Sequence, residues 1–116
     1  MNDDVMLFFS KAPRALTLYE ALETEILNRC PGATVHVQKS QIAFDNGRRF
    51  AFASLRGKKL VVTFGLEHRV DSPRIAWAAE PYPNRWTHHV PVNSPEELDE
   101  ELWQWIMLAY DFAARK

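Results

Sequence analysis

The sequence predicts an α+β fold, a two-layer sandwich with N- and C-terminal helices packed on one face of a four- to five-stranded antiparallel sheet. Two observations support this class. Apolar residues recur at helical spacing near both ends of the 116-residue chain, whereas the segment between them alternates with a period of two and has tight turns. Each element has one apolar side, and packing both helices on one sheet face buries all of these sides. The other sheet face should stay at least partly open to water or to a partner.

The N-terminal part of the chain is expected to form an arm over residues 1–12 and a helix over residues 13–30. Pro13 suits the first helical position, where its missing N–H costs nothing. Pro31 and Gly32 cannot continue the helix. One side of the helix carries apolar residues at a spacing of three or four: Ala15, Leu18, Tyr19, Leu22 and Ile26.

Residues 33–66 are predicted to form an antiparallel β-meander. Val35 and Val37 alternate with polar residues, which is typical of a strand with one buried face. Asn46-Gly47 is a strong signal for a hairpin turn, and Gly57 lies in the next turn. Tight turns between short strands indicate neighbours that pair in an antiparallel sense.

Residues 67–85 are interpreted as an irregular passage, in which Pro81 and Pro83 force extended backbone. Residues 86–92 are aromatic and β-branched in composition and are predicted to form a further strand. No shift of composition, repeat or low-complexity segment divides the chain. We therefore expect residues 1–116 to form a single domain.

A capped amphipathic helix is predicted over residues 94–114. Ser94 is a suitable N-cap, Pro95 occupies the tolerated first position, and Glu97 can complete a capping box. The acidic residues that follow are stabilised by the positive end of the helix dipole. An apolar stripe then runs at helical spacing through Leu98, Leu102, Trp105, Ile106, Ala109, Phe112 and Ala113.

The composition is that of an ordinary globular chain, with 47% hydrophobic and 25% charged residues. A formal net charge of −1 argues against a protein that binds polyanions through bulk charge alone. The single cysteine, Cys30, cannot form an internal disulfide, which favours a reducing cytoplasm. Because the apolar run Val5–Phe9 is too short for a signal peptide or a membrane span, we expect a cytoplasmic protein with no membrane partner.

Five basic residues lie in or beside the predicted hairpin turns: Arg48, Arg49, Arg56, Lys58 and Lys59. Two basic turns could straddle a phosphate backbone while the sheet supplies stacking or groove contacts. The alternative is that these charges are only solvated and oppose pairing between sheet edges. These five residues are the candidate nucleic-acid-binding residues.

The C-terminal helix has a second apolar group on the side away from its main stripe. Trp103, Met107 and Tyr110 fall there when residues are placed at about 100° intervals around the helix. Leaving them in water would forgo about 1.5–3 kcal/mol of burial each. Two coverings are open: the segment Val5–Phe9 of the same chain, or a second subunit or partner protein, for which these residue types are favoured.

The sequence contains no catalytic or metal-binding template. His88 and His89 are adjacent on a predicted strand, so they should point to opposite faces and cannot chelate one ion together. No cysteine–histidine pair has metal-ligand spacing, and there is no phosphate loop or nucleophile elbow. We therefore expect neither metal nor cofactor, and the balance favours a protein that is not an enzyme.

Two parts of the chain carry a resemblance to a known family. Ile42-Ala43-Phe44 continues through Arg48-Arg49-Phe50-Ala51 to the strand Leu60–Leu66, and Trp86-Thr87-His88 leads into Ser94-Pro95-Glu96-Glu97 and Ala109-Tyr110. Over about residues 15–113 the chain resembles the bacterial domain-of-unknown-function family 5655. More remotely, its layout is similar to the MmcQ/YjbR-like proteins, which are described as frataxin-like in fold.

The resemblance implies the same helix–meander–helix architecture and assigns no reaction. The remoter group has been proposed to bind DNA through a double-wing arrangement, which here implies a role for the five basic turn residues. The motif Trp86-Thr87-His88 has no role that the resemblance supplies.

Three functions remain as hypotheses. The first is a small binding module whose open sheet face and basic turns bind nucleic acid. The second is a protein-interaction module, most simply a homodimer through Trp103, Met107 and Tyr110. The third is a small-molecule-binding or enzymatic domain around Trp86 and His88.

Overall fold

The computed structural model describes residues 3–115. Two helices come first, and six strands and a final helix follow. The elements are α1 (Asp3–Phe8), α2 (Pro13–Arg29), β1 (Thr34–Val37), β2 (Ile42–Asp45), β3 (Arg49–Arg56), β4 (Lys59–Leu66), β5 (Trp77–Tyr82), β6 (Arg85–Val92), a 3-10 turn (Pro95–Glu97) and α3 (Glu100–Ala114). This confirms the predicted α+β fold class, with six strands instead of four or five.

The strands form one antiparallel sheet in the order β1-β2-β3-β4-β6-β5. The sixth strand, β5, lies inside the passage that the sequence analysis took as irregular. Its residues 77–79 pair with residues 87–89 of β6, and the register shifts between Ala79 and Tyr82. An edge strand with a register shift can accommodate Pro81, since no further strand needs its missing N–H.

The N-terminal arm also has regular structure, because α1 forms within residues 1–12. Val5 and Phe9 are buried there, and the ring of Phe9 lies 5.1 Å from that of Tyr19 in α2. These contacts attach α1 to the same core as α2. Within residues 3–115, no helix is both long and apolar enough to cross a lipid bilayer.

The core lies between the helices and one face of the sheet, which we call the covered face. Leu102, Ile106 and Ala109 of α3 are buried in this core. The ring of Trp105 stacks on Phe64 of the central strand β4 at a centroid distance of 5.6 Å. Side chains alternate between the two faces of a strand, so every second side chain points to the opposite face. No helix of residues 3–115 packs on that face, which we call the open face.

The start of α3 differs from the prediction. Glu97 accepts from the backbone N–H groups of Asn93 and Ser94 at 2.7 and 3.1 Å, but this contact closes only the 3-10 turn. The α-helix proper begins at Glu100 and is capped by Asp99, whose Oδ1 accepts from the N–H of Leu102 at 3.1 Å. Two successive caps thus replace the single cap that was expected.

A single arginine anchors the connection between β4 and β5. Arg74 donates to Oδ1 of Asp99 at 2.7 Å, to Oε1 of Glu101 at 3.0 Å and to the carbonyl oxygen of Glu97 at 2.6 Å. The guanidinium beside Asp99 holds the pKa of that carboxyl below its usual range. The connection is therefore attached to the start of α3.

The second apolar group of α3 is covered within the chain, by the end of α2 and the β2–β3 turn. Arg29 lies over the ring of Trp103, with Cζ 5.8 Å from its centroid, and its Nη1 is 3.7 Å from Sδ of Met107. The hydroxyl of Tyr110 donates to the carbonyl oxygen of Pro31 at 2.5 Å. Trp103 is 8% exposed, so neither a partner nor Val5–Phe9 is needed to bury it.

Replacement of Tyr110 by phenylalanine should lower the free energy of unfolding by about 0.5–1.5 kcal/mol, because the hydrogen bond from its hydroxyl to the exposed carbonyl oxygen of Pro31 is lost. Urea denaturation measures this change. The matched control is Tyr82→Phe, whose side chain is 67% exposed and should change the stability by less than about 0.5 kcal/mol. Equal stability of both variants would show that the Tyr110 hydroxyl does not fasten α3 to the end of α2.

Candidate functional site

The open face of the sheet holds the most chemically diverse group of side chains in the described structure. Its central strands bear aromatic, hydroxyl, imidazole and guanidinium groups that no helix covers. A cavity of about 390 Å³ lies over these strands. It is lined by Gln41, Phe52, Ser54, Leu55, Arg56, Val61, Thr63, Trp77, Thr87 and His89. None of these ten described residues is acidic.

Three of the lining residues form an ordered stack, which we call the aromatic stack. The ring of Trp77 lies parallel to that of His89, with centroids 4.4 Å apart and planes at 15°. Cζ of Arg56 lies 4.6 Å from the Trp77 ring centroid, which is a favourable cation–π distance. Trp77 is nevertheless 38% exposed, so part of its surface remains available to a ligand.

His89 is held in the stack by a neighbour on β4. Its Nδ1 lies 2.9 Å from the hydroxyl oxygen of Thr63. Burial lowers the pKa of His89, and repulsion from His88 in its protonated form and from the charge of Arg56 lowers it further. The imidazole is therefore neutral at pH 7 and offers a flat ring without a competing charge.

Two further arginines extend over the open face. When the Gln38 amide is assigned with its oxygen toward Arg49, that oxygen accepts from both terminal nitrogens of the guanidinium at 3.1 and 2.8 Å. Arg85 lies over Gly65, because a Cβ built at this glycine would be only 3.5 Å from a guanidinium nitrogen. Together with Arg56, they give the face three guanidinium groups that can pair with phosphate.

The five predicted basic residues do not gather at one place. Arg48 and Arg49 lie at one end of β3, whereas Arg56, Lys58 and Lys59 lie at or beyond the other end. The two ends of this strand are about 23 Å apart at the usual rise per residue. Lys58 and Lys59 line a second cavity instead, beside Arg14 at the start of α2. The structure therefore distributes the positive charge along the sheet instead of concentrating it at one turn.

The motif Trp86-Thr87-His88 is divided between the two faces. Thr87 lines the open-face cavity and also donates to the carbonyl oxygen of Ala79 at 3.2 Å. His88 is fully buried on the covered face, where its ring lies 5.1 Å from Phe64. Its Nε2 accepts from the backbone N–H of Val70 at 2.9 Å, which holds the chain just after β4. No substrate can reach this imidazole, so its role is structural.

Residues 3–115 contain no cluster of three or more histidine, cysteine or acidic side chains that could hold a metal ion. Cys30 is buried, and burial together with the charge of Asp111 raises the pKa of its thiol to about 11. A thiol with this pKa stays protonated at neutral pH and is a poor nucleophile.

The match to a family covers nearly the whole chain. Residues 6–113 match the family described as Domain of unknown function (DUF5655). The chain belongs to the DUF5655 family. No significant match was found among curated proteins or among solved structures. The resemblance of the DUF5655 chain to MmcQ/YjbR-like proteins is therefore not shown by these comparisons.

Sequence reasoning about this DUF5655 protein missed the partners that make the site. Trp77 fell in the passage taken as irregular, so its position beside His89 could not be deduced. The alternation around His88 and His89 was the available signal, because it places one histidine on each face. Knowing that β5 pairs with β6 would have brought Trp77 onto the same face as His89.

The buried His88 should make the protein sensitive to mild acid. Burial lowers its pKa below the ordinary value of about 6.5, and this outweighs the nearby carbonyls of Phe64 and Trp86, which act in the opposite direction. As the pH falls, the unfolded chain therefore takes up a proton before the folded chain does. The contribution of neutral His88 to the free energy of unfolding is complete above about pH 6.5 and is lost as the pH falls toward the folded-state pKa of His88.

Urea denaturation between about pH 7.5 and 5 tests this account. His88→Leu should flatten the profile, while lowering stability at neutral pH by about 1–3 kcal/mol because the N–H of Val70 loses its acceptor. Burial also lowers the pKa of His89, so this residue accounts for the slope that remains in His88→Leu. The exposed His68→Leu is the control and should retain the full slope. An unchanged slope in His88→Leu would contradict the assignment.

Proposed function

We propose that this protein is a binding module for single-stranded nucleic acid and that the strand lies across the open face of the sheet. The observation that supports this most is the aromatic stack of Arg56, Trp77 and His89 beside a cavity lined by no acidic residue. The stack combines the two groups that recognise nucleotides, a flat aromatic surface for a base and a guanidinium for a phosphate.

The base would stack on Trp77 in place of the Arg56 guanidinium that lies over the ring, while His89 continues to support the ring. A ring that is fixed before binding loses little conformational entropy when a ligand docks. Stacking of a base on an aromatic side chain contributes about 1–3 kcal/mol. Ser54 lines the same cavity and supplies a hydroxyl group for the polar edge of a base.

The phosphates would follow the guanidinium groups of Arg49, Arg56 and Arg85 along the face. Arg48 at one end and Lys58 at the other extend this charge to the turns. Such spacing suits a chain of phosphates better than a single anion, because the charges extend over about 23 Å of β3. The acids at the start of α3 lie in the helical layer, away from this path.

A single strand fits this surface better than a duplex does. The bases of a duplex are stacked on one another and present only their edges, so they cannot lie flat on Trp77. Single-stranded bases can turn outward and stack on an aromatic ring. We therefore expect binding that is strong for single strands, weakly dependent on sequence and sensitive to salt.

Fluorescence anisotropy with a labelled single-stranded oligonucleotide tests the proposal. Trp77→Ala should weaken binding about tenfold or more, because the stacking surface is lost. The control is Leu108→Ala, an apolar side chain that is 53% exposed on α3 and should leave the affinity unchanged. Circular dichroism verifies that both variants are folded.

The salt dependence tests the phosphate contacts separately. Arg56→Ala should lower the slope of log K against log salt concentration by about 0.7, the value for one phosphate contact on a single strand. Lys11→Ala, an exposed cation in the connection between α1 and α2, should leave the slope unchanged. The proposal fails if the wild-type protein binds no oligonucleotide at low salt, or if Trp77→Ala and Arg56→Ala bind as the wild type does.

A further inference from the structure

A second cavity lies on the other side of the β3–β4 turn, at the start of α2. Its volume is about 490 Å³. Arg14, Lys58 and Lys59 are the cationic residues among those that line it, and Asn93 is a polar one. Buried apolar side chains, including Leu60 and Val92, form its floor. None of the described residues that line it is acidic.

Among the described residues, no acidic side chain pairs with the three cations of the second cavity. Within residues 3–115, the ion pairs of the protein involve Arg29 and Arg74, and none of them includes Arg14, Lys58 or Lys59. Like charges gathered around one cavity repel each other unless an anion compensates them. The charge of the cavity is thus suited to an anionic ligand.

The backbone reinforces this charge. Helix α2 begins at Pro13, and Ala12 in the N-cap position has no side-chain oxygen to accept from the first N–H groups. The positive end of the helix dipole therefore faces the same region as Arg14 without a capping acceptor. This contribution is secondary to the three side-chain charges.

We propose that the second cavity binds a phosphate monoester. Such a group carries about −1.5 to −2 charges at pH 7, which matches three unpaired cations better than a carboxylate with one charge does. The apolar floor at Leu60 and Val92 suits the sugar or base attached to the phosphate. The monoester could come from a terminal phosphate of a nucleic-acid strand or from a free nucleotide.

The position of the second cavity favours the end of a strand. Arg56 belongs to the open face and Lys58 to the second cavity, and only Gly57 separates them. Their Cα atoms are therefore at most about 7 Å apart. A strand that leaves the aromatic stack at Arg56 could place its terminal phosphate in the second cavity. Binding of a strand's terminal phosphate rests on the proposed function, whereas binding of a free nucleotide does not.

The test compares oligothymidines that carry a phosphate at the 5′ end, at the 3′ end or at neither end. One phosphorylated form should bind the wild-type protein about tenfold more tightly than the unphosphorylated form. Arg14→Ala should lose this increment and bind the unphosphorylated strand as the wild type does, because Arg14 lies outside the open face. Lys11→Ala is the matched control and should retain the increment.

The result that overturns the inference is equal binding of all three strands to the wild type, or an increment that survives in Arg14→Ala. Should no strand bind, the proposed function fails, and thermal melting with adenosine 5′-monophosphate against adenosine then decides the second cavity alone. Stabilisation by the monophosphate that Arg14→Ala lacks supports a nucleotide site. Equal melting temperatures with both compounds exclude the phosphate monoester site.

Discussion

The packing of α3 against the centre of the sheet is the contact on which the rest of the structure depends. Trp105 stacks on Phe64 of β4, and the buried residues Leu102 and Ile106 extend the same contact. Because α1 and α2 join this core on the same side, the helices cover only one face of a six-stranded sheet. The opposite face must then be stabilised by its own side chains, and these are the groups that form the candidate site.

The open face is protected from water by side chains that also suit a ligand. Thr63 on β4 is only 9% exposed, and its hydroxyl oxygen lies 2.9 Å from Nδ1 of His89 on the same face. Trp77 stacks on His89, and Arg56 lies over Trp77. Such stacking and cation–π contacts are individually weak and can be exchanged for similar contacts with a ligand. The surface is thus held in place without being sealed by a buried apolar layer.

The parts of the fold that depend on patterns within short stretches of sequence were predictable from the sequence. The two long helices, the Asn46-Gly47 turn and the alternation of the meander were visible in short windows, and the fold class followed from them. β5 was missed because Pro81 lies within it and Pro83 follows it, which is not typical of a strand, and because its pairing with β6 is not visible in a short window. The site was missed for the same reason, since the contact between Trp77 and His89 depends on that pairing.

The apolar residues on the second side of α3 show a different limit. Helix geometry alone predicted that these side chains lie away from the main apolar stripe. Another part of the chain or a partner was therefore expected to cover them. What covers them is Arg29 with the carbonyl of Pro31, a cation and a backbone group at the end of another helix. Hydrophobic patterning cannot predict these two contacts, because Arg29 and the carbonyl of Pro31 are polar.

The measurement that tests the central claim most directly is an NMR titration of the ¹⁵N-labelled protein with an unlabelled single-stranded oligonucleotide. The account predicts shift changes at the indole N–H of Trp77 and at backbone amides of β3, β4 and β6, while the amides of α3 stay unchanged. Changes confined to the helices, or a spectrum that stays the same at saturating oligonucleotide, would contradict the claim that the open face is the binding surface.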